Sequence, residues 1–100
     1  MEQLRTKTSE KTGEKLQEPV QFRVILLNDN YTTMDFVVEI LVMVFHKNIE
    51  DANRIMLDIH EKGKGIVGIY PYDIAATKRQ QVHAAAKANQ FPLRCIVEPV

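Results

Sequence analysis

The residues of this chain best equipped for chemistry are Cys95, the histidines His46, His60 and His83, and a polar loop, Asn28-Asp29-Asn30-Tyr31-Thr32. A Cys-His nucleophile is the first possibility. Cys95, however, sits in the alternating run Leu93-Arg94-Cys95-Ile96-Val97-Glu98, at a position that a small apolar core residue ordinarily fills. The histidines show no H-x-x-x-H spacing and the lone cysteine no C-x-x-C, so a metal site would need ligands converging from three separate helices. No G-x-S-x-G, P-loop or G-x-G-x-x-G pattern occurs, and Gly63-Lys64-Gly65 reads more simply as a helix end and a turn. The expectation is therefore a protein that is not an enzyme and that needs no metal or cofactor.

Binding is a better use of these residues. The loop places a carboxylate and two amides at the end of an apolar segment and directly before a helix, where a rigid scaffold presents groups to a ligand. The same residue types also turn a chain and cap a helix without any ligand, so the loop alone leaves both readings open. Met34, Val37, Met56 and His60 add to it, because they fall at facing positions of two consecutive helices. If those helices pack as a short antiparallel pair, the start of the first lies near the end of the second, and His60 approaches Asn28 and Asp29. A neutral imidazole nitrogen, an amide oxygen and a carboxylate form an acceptor set suited to an ammonium, beside an apolar pocket lined by adaptable methionines. A free amine next to a large apolar side chain is the N-terminus of a peptide that begins with Leu, Phe, Tyr or Trp. The alternative is a histidine at the edge of a core.

The elements that must position these groups are legible in the pattern. Residues 1–18 carry four basic and four acidic side chains with only Met1, Leu4 and Leu16 apolar, too little to offset the entropy of ordering. They read as a disordered arm, a flexible N-terminal extension ahead of a core domain at 19–100. Val20 to Leu27 is rich in β-branched and large apolar residues and reads as a strand. Thr32 and Thr33 offer N-caps, and Val37, Ile40, Leu41, Val44 and Phe45 give helical spacing over about Thr33 to His46. Asn48 caps a second helix whose stripe is Ala52, Ile55, Met56, Ile59 and His60, ended by Gly63. Gly65 to Tyr70 reads as a strand in which Gly68 admits a close backbone neighbour. Asp73 is the expected N-cap of an alanine-rich helix from Ile74 to about Ala88, and Leu93 to Glu98 is the last strand. The order β-α-α-β-α-β predicts an α+β domain, a small three-stranded antiparallel sheet covered on one face by three helices.

Charge and hydropathy remove other classes of function. Thirteen Lys and Arg balance thirteen Asp and Glu, which removes the basic excess of most nucleic-acid binders and argues equally against polybasic membrane docking. The longest near-apolar stretch, Phe36 to Phe45, contains Glu39 and falls well short of the ~20 residues that span a bilayer. The first residues show no apolar signal region, so a cytoplasmic location is expected.

Four blocks, taken together, carry a resemblance. Leu27-Asn28-Asp29-Asn30-Tyr31-Thr32-Thr33-Met34-Asp35-Phe36-Val37, Met56-Leu57-Asp58-Ile59-His60, Gly63-Lys64-Gly65-Ile66 and Pro92-Leu93-Arg94-Cys95 resemble the signature blocks of the Clp protease adaptor family ClpS, in order and spacing, from about Val20 to Val97. The resemblance implies a monomeric adaptor that binds N-degron substrates and hands them to the AAA+ unfoldase ClpA, which feeds the peptidase ClpP. It also implies roles. Asn28 and His60 match positions that bind the substrate's α-amino group. Asp29 and Asn30 stand where the family commonly has two consecutive Asp, the second a direct partner of the ammonium. With Asn30 there, either Asp29 supplies the charge or the amide oxygen of Asn30 serves as a neutral acceptor. Thr32, Met34, Val37, Met56, Ile59 and Leu93 match the hydrophobic pocket, with Met34 the gate against β-branched first residues. Tyr31, Asp73 and Lys78 match a surface that docks on the N-terminal domain of ClpA, and the arm matches an extension used in substrate transfer. Thr33 replaces a usual Pro at the start of the first helix, where Pro is favoured but not required.

Overall fold

The structure, a computed structural model, describes residues 20–100; the expected arm at 1–18 lies outside the described residues. Three strands form one antiparallel sheet: β1 (Gln21–Leu27) in the centre, β2 (Lys64–Pro71) and β3 (Arg94–Pro99) at its sides. Helices α1 (Met34–Met43) and α2 (Ile49–Lys62) connect β1 to β2, and α3 (Tyr72–Ala88) connects β2 to β3. The expected β-α-α-β-α-β order and the antiparallel sheet are what the chain forms.

Successive side chains of a strand point to opposite faces, and β1 shows what that does here. Phe22, Val24 and Leu26 join the core beneath the helices, with Phe36, Val37, Ile40, Leu41, Ile55, Ile59, Val67, Val82 and Leu93. Ile25 is buried yet stands outside that core, on the other face, between its register partners Ile66 and Ile96. Between Val24 and Ile25 the β1–β2 register slips, leaving Val67 as an extra residue directed into the core. Helix α2 packs on β2, α3 lies across all three strands, and α1 packs against α2. No helix among the described residues is long and apolar enough to cross a membrane.

Helix ends decide where the loops point. Thr33 caps α1, its hydroxyl accepting from the Phe36 N–H at 3.1 Å. Helix α1 is shorter than its apolar spacing predicts. Phe45 keeps the spacing and is buried, but His46 adopts a left-handed φ of 57°, and the Lys47 N–H donates to the Leu41 carbonyl at 3.0 Å. The chain thus closes back over the helix end through a bond six residues long, with histidine in a backbone conformation where glycine is usual. A carbonyl left over at that end, of Val44, accepts from Lys78 Nζ of α3 at 2.7 Å. Helix α2 matches expectation at both ends: the Asn48 side chain accepts from the Asp51 N–H at 2.8 Å, and Gly63 ends the helix at φ 89°.

Two expectations are corrected. Asp73 is not the N-cap of α3: β2 runs through Pro71 straight into the helix, which starts at Tyr72 without a side-chain cap. The Tyr72 ring meets Phe22 edge-on with centroids 5.1 Å apart, and this contact accompanies the start of the helix where a cap would otherwise stand. Asp73 sits in the first turn, where its charge opposes the positive end of the helix dipole. At Gly68 the close neighbour is a side chain rather than backbone, since a Cβ there would fall 2.6 Å from the Tyr70 hydroxyl.

Gly65 is the glycine that matters most for the helices above the sheet. A Cβ at this position would lie 2.8 Å from Cγ1 of Ile59, a fully packed α2 residue. Gly65→Ala should therefore lift α2 from β2 and lower stability by about 1–3 kcal/mol, readable as a lower urea midpoint. An unchanged midpoint would show that Ile59 has room to move.

Candidate functional site

The end of β1 and the end of α2 are tied together by backbone, the Asn28 N–H donating to the Gly63 carbonyl at 2.9 Å. That single bond brings the polar loop beside the last turn of α2. Between them opens a cavity of about 410 Å³, lined by the loop from Asn28 to Thr33, by Met34 and Val37 of α1, and by Met56, Ile59 and His60 of α2. The apolar floor comes from Val37 and Ile59, both core residues; Met34 is 46 % exposed and Met56 half-buried at the walls. Asn28, Asn30 and His60 are exposed at the rim.

The loop is shaped by Asp29. One oxygen of its carboxylate accepts from the N–H groups of Tyr31 at 2.8 Å and Thr32 at 2.6 Å, and the other accepts from the Thr32 hydroxyl at 2.7 Å. Partial burial alone would raise the pKa of this carboxyl, but the Thr32 and Tyr31 donors outweigh it and hold the pKa below the ordinary 3.8. The charge thus faces its own loop, while the amides on either side line the cavity. Among the described residues no lysine or arginine lines the space; its side-chain polar groups are amides, hydroxyls, an imidazole and one carboxylate, each able to accept a hydrogen bond.

Of the residues expected at an amine and side-chain site, Asn28, Asp29, Asn30, Thr32, Met34, Val37, Met56, Ile59 and His60 line one cavity. Leu93 does not. It is 3 % exposed and packed in the core below, because the alternation that opens β3 turns this residue toward the helices. Tyr31, expected on a docking surface, is 77 % exposed and stands at the lip of this same cavity, whereas Asp73 and Lys78 lie on α3 and take no part in its lining. Thr33 lines the cavity as well, a role its cap position alone gave no reason to expect.

The other chemically capable groups are used structurally. Cys95 is buried in the core, which pushes its thiol up to about 11 even with Arg79 nearby. At neutral pH such a thiol is protonated and a poor nucleophile. His83 accepts through Nε2 from the Cys95 backbone N–H at 3.0 Å, so it joins α3 to β3 rather than serving as a base for the thiol. Among the described residues no three His, Cys, Asp or Glu side chains are grouped to hold a metal.

A family model described as "ATP-dependent Clp protease adaptor protein ClpS" matches residues 17–96. The chain belongs to the ClpS family. Its similarity to individual ClpS proteins is spread along most of its length. The ClpS of Syntrophus aciditrophicus is 58 % identical over 87 residues, covering 87 % of this chain and 81 % of that protein. The ClpS of Acetivibrio thermocellus is 54 % identical over 95 residues, covering 95 % of this chain and 96 % of the relative. Both are named as adapter proteins of the ATP-dependent Clp protease. The fold matches a solved structure of Agrobacterium tumefaciens ClpS2 bound to L-phenylalaninamide, with a TM-score of 0.81 and 35 % identity, covering 83 % of this chain and all of the other.

The Asp29 network carries a pH signature. Because the folded carboxyl has the lower pKa, its stabilisation is complete above about 3.8 and is lost as pH falls through the folded value. Asp29→Ala should cost about 1–3 kcal/mol at pH 7, and its gap from the parent chain should narrow below pH 4 in urea titrations. A gap that is constant with pH would assign the loss to packing instead.

Proposed function

We propose that this chain is a substrate-binding adaptor of an ATP-dependent Clp protease, which holds the free α-amino group and the large first side chain of N-degron proteins and delivers them to a ClpA-type unfoldase. The observation that carries the reading is the cavity itself, a rim of Asn28, Asn30 and His60 acceptors above a floor of Val37 and Ile59 and walls of Met34 and Met56. A related fold that binds L-phenylalaninamide, an amino acid with a free amine and an aromatic side chain, supports it. The ammonium would donate to the Asn28 and Asn30 amide oxygens and to a neutral His60, with the charge of Asp29 held just behind them. The first side chain would enter between the methionines, in a volume at the small end of ligand pockets, about 300–1,000 Å³. Leu93 would act from below, as packing under that floor.

Delivery would use other surfaces. Asp73, at the exposed start of α3, and Lys78, whose ammonium already serves the Val44 carbonyl, are the proposed contacts with the unfoldase N-terminal domain, with Tyr31 between substrate and partner. Residues 1–18 would be the extension engaged in transfer. The adaptor would work as a cytoplasmic monomer, with no nucleic acid, membrane or cofactor.

Magnitudes agree with a reusable carrier. Two or three charge-assisted hydrogen bonds at roughly 1.5–3 kcal/mol each, plus one buried side chain of similar worth, must offset the loss of freedom on association. The expected affinity is near ~8 kcal/mol, about micromolar. A fluorescent Leu-first peptide should bind in anisotropy titrations and its N-acetylated form should not, since acetylation removes both charge and donors. Equal affinity of the two forms would refute the amine reading. Met34→Ala should admit Ile- and Val-first peptides by opening the wall next to Val37. A preference for Leu over Ile that survives this change would deny Met34 the role of gate.

A further inference from the structure

A second, smaller concavity of about 110 Å³ adjoins the first and shares Asn28 and Asp29 with it. Its other walls are Leu27, Pro92 and Arg94. Arg94 is the register partner of Leu27, so the sheet places it one strand across from the residue that leads into the loop. Its neighbours Leu93 and Cys95 are both buried, and the Cys95 N–H is held by His83, which fixes this stretch of backbone and directs Arg94 to the open side. Among the described residues Arg94 makes no ion pair and no side-chain hydrogen bond. Asp29 shares the concavity without pairing with it, as expected of a carboxylate committed to the Tyr31 and Thr32 donors. The amine site is thus bordered by acceptors on one side and, beyond Asn28 and Asp29, by a guanidinium that no described residue pairs with.

We infer that Arg94 and this concavity form a subsite for a carboxylate side chain, Asp or Glu, at the second or third position of a bound peptide. The inference rests on the amine-binding reading above. With the α-amino group among Asn28, Asn30 and His60, a chain leaving across Asn28 and Asp29 advances at most ~3.3–3.6 Å per residue, which brings the second or third side chain to Arg94. A planar guanidinium donates two parallel hydrogen bonds to a carboxylate, a geometry that an amide or a hydroxyl does not match. The subsite selects by the charge of Arg94, where the first cavity offers an apolar floor.

The test compares Leu-first peptides of ten residues that differ only at positions two and three, with Ala-Ala, Asp-Ala, Ala-Asp or Lys-Lys. Their affinities are measured for the parent chain, Arg94→Ala and Arg94→Glu at low and at physiological salt. On the parent chain an Asp peptide should bind about two- to fivefold tighter than the Ala-Ala peptide, less so at higher salt. Arg94→Ala should bring that ratio to one, and Arg94→Glu should invert it in favour of Lys-Lys. An Asp-to-Ala ratio that is the same in all three proteins overturns the subsite alone. Failure of the parent chain to distinguish the free from the acetylated Ala-Ala peptide removes the amine reading and the subsite with it.

Discussion

Most of what the candidate site can do depends on the way the Asp29 carboxylate spends its hydrogen-bonding capacity. Three donors from Tyr31 and Thr32 converge on its two oxygens. A loop that would otherwise sample many turns is held in one, with the helix cap at Thr33 immediately behind it. The negative charge is kept near the cavity without being offered as a free ligand. That leaves neutral amide oxygens as the exposed acceptors, which bind more weakly than a carboxylate but do not have to be stripped of tightly held water first. A site of this kind suits a protein that must pick up and release its cargo.

The sheet and helices serve that loop by being stiff below it. The bond from Asn28 to Gly63 closes a loop of the chain that begins at the central strand and returns at the end of α2, so α1 and α2 are clasped at the level of the cavity. Gly65 lets β2 come within van der Waals contact of Ile59, and Ile59 is at once a core residue and part of the cavity floor. Packing energy and binding geometry are therefore carried by the same atoms. At the opposite end of α1 the Lys78 ammonium completes a helix terminus.

Order and type of the elements were legible because each rests on a strong local signal: the β-branched run ending at Leu27, the Asn48 cap, and Gly63 after a clean apolar stripe. Nine of the expected site residues meet in one cavity because the short connection between α1 and α2 forces the pair to be antiparallel. What was not legible depended on contacts distant in sequence or on competition between local options. Periodicity carried α1 past Val44, and nothing local announced that His46 would take a glycine's conformation. Asp73 has the right chemistry for a cap but lost the position to a strand that continues through Pro71. Leu93 fits an apolar pocket by type, and only the facing of β3 shows that it fills the core. For Asp29, the residue type pointed to ligand and loop roles alike, and the three donors around it identify the loop role.

The bond between His83 and the backbone of Cys95 has a consequence for how this protein behaves in a crowd. Among the described residues strand β3 is paired on one side only, with β1, and an edge of this kind offers its free N–H groups to any extended chain that drifts past. On the proposed function, such chains would be met constantly. By accepting from the Cys95 N–H, the imidazole withdraws one rung of that open ladder. The fold thereby guards its own border against indiscriminate strand addition, and leaves the cavity beyond the end of β1 as a separate opening.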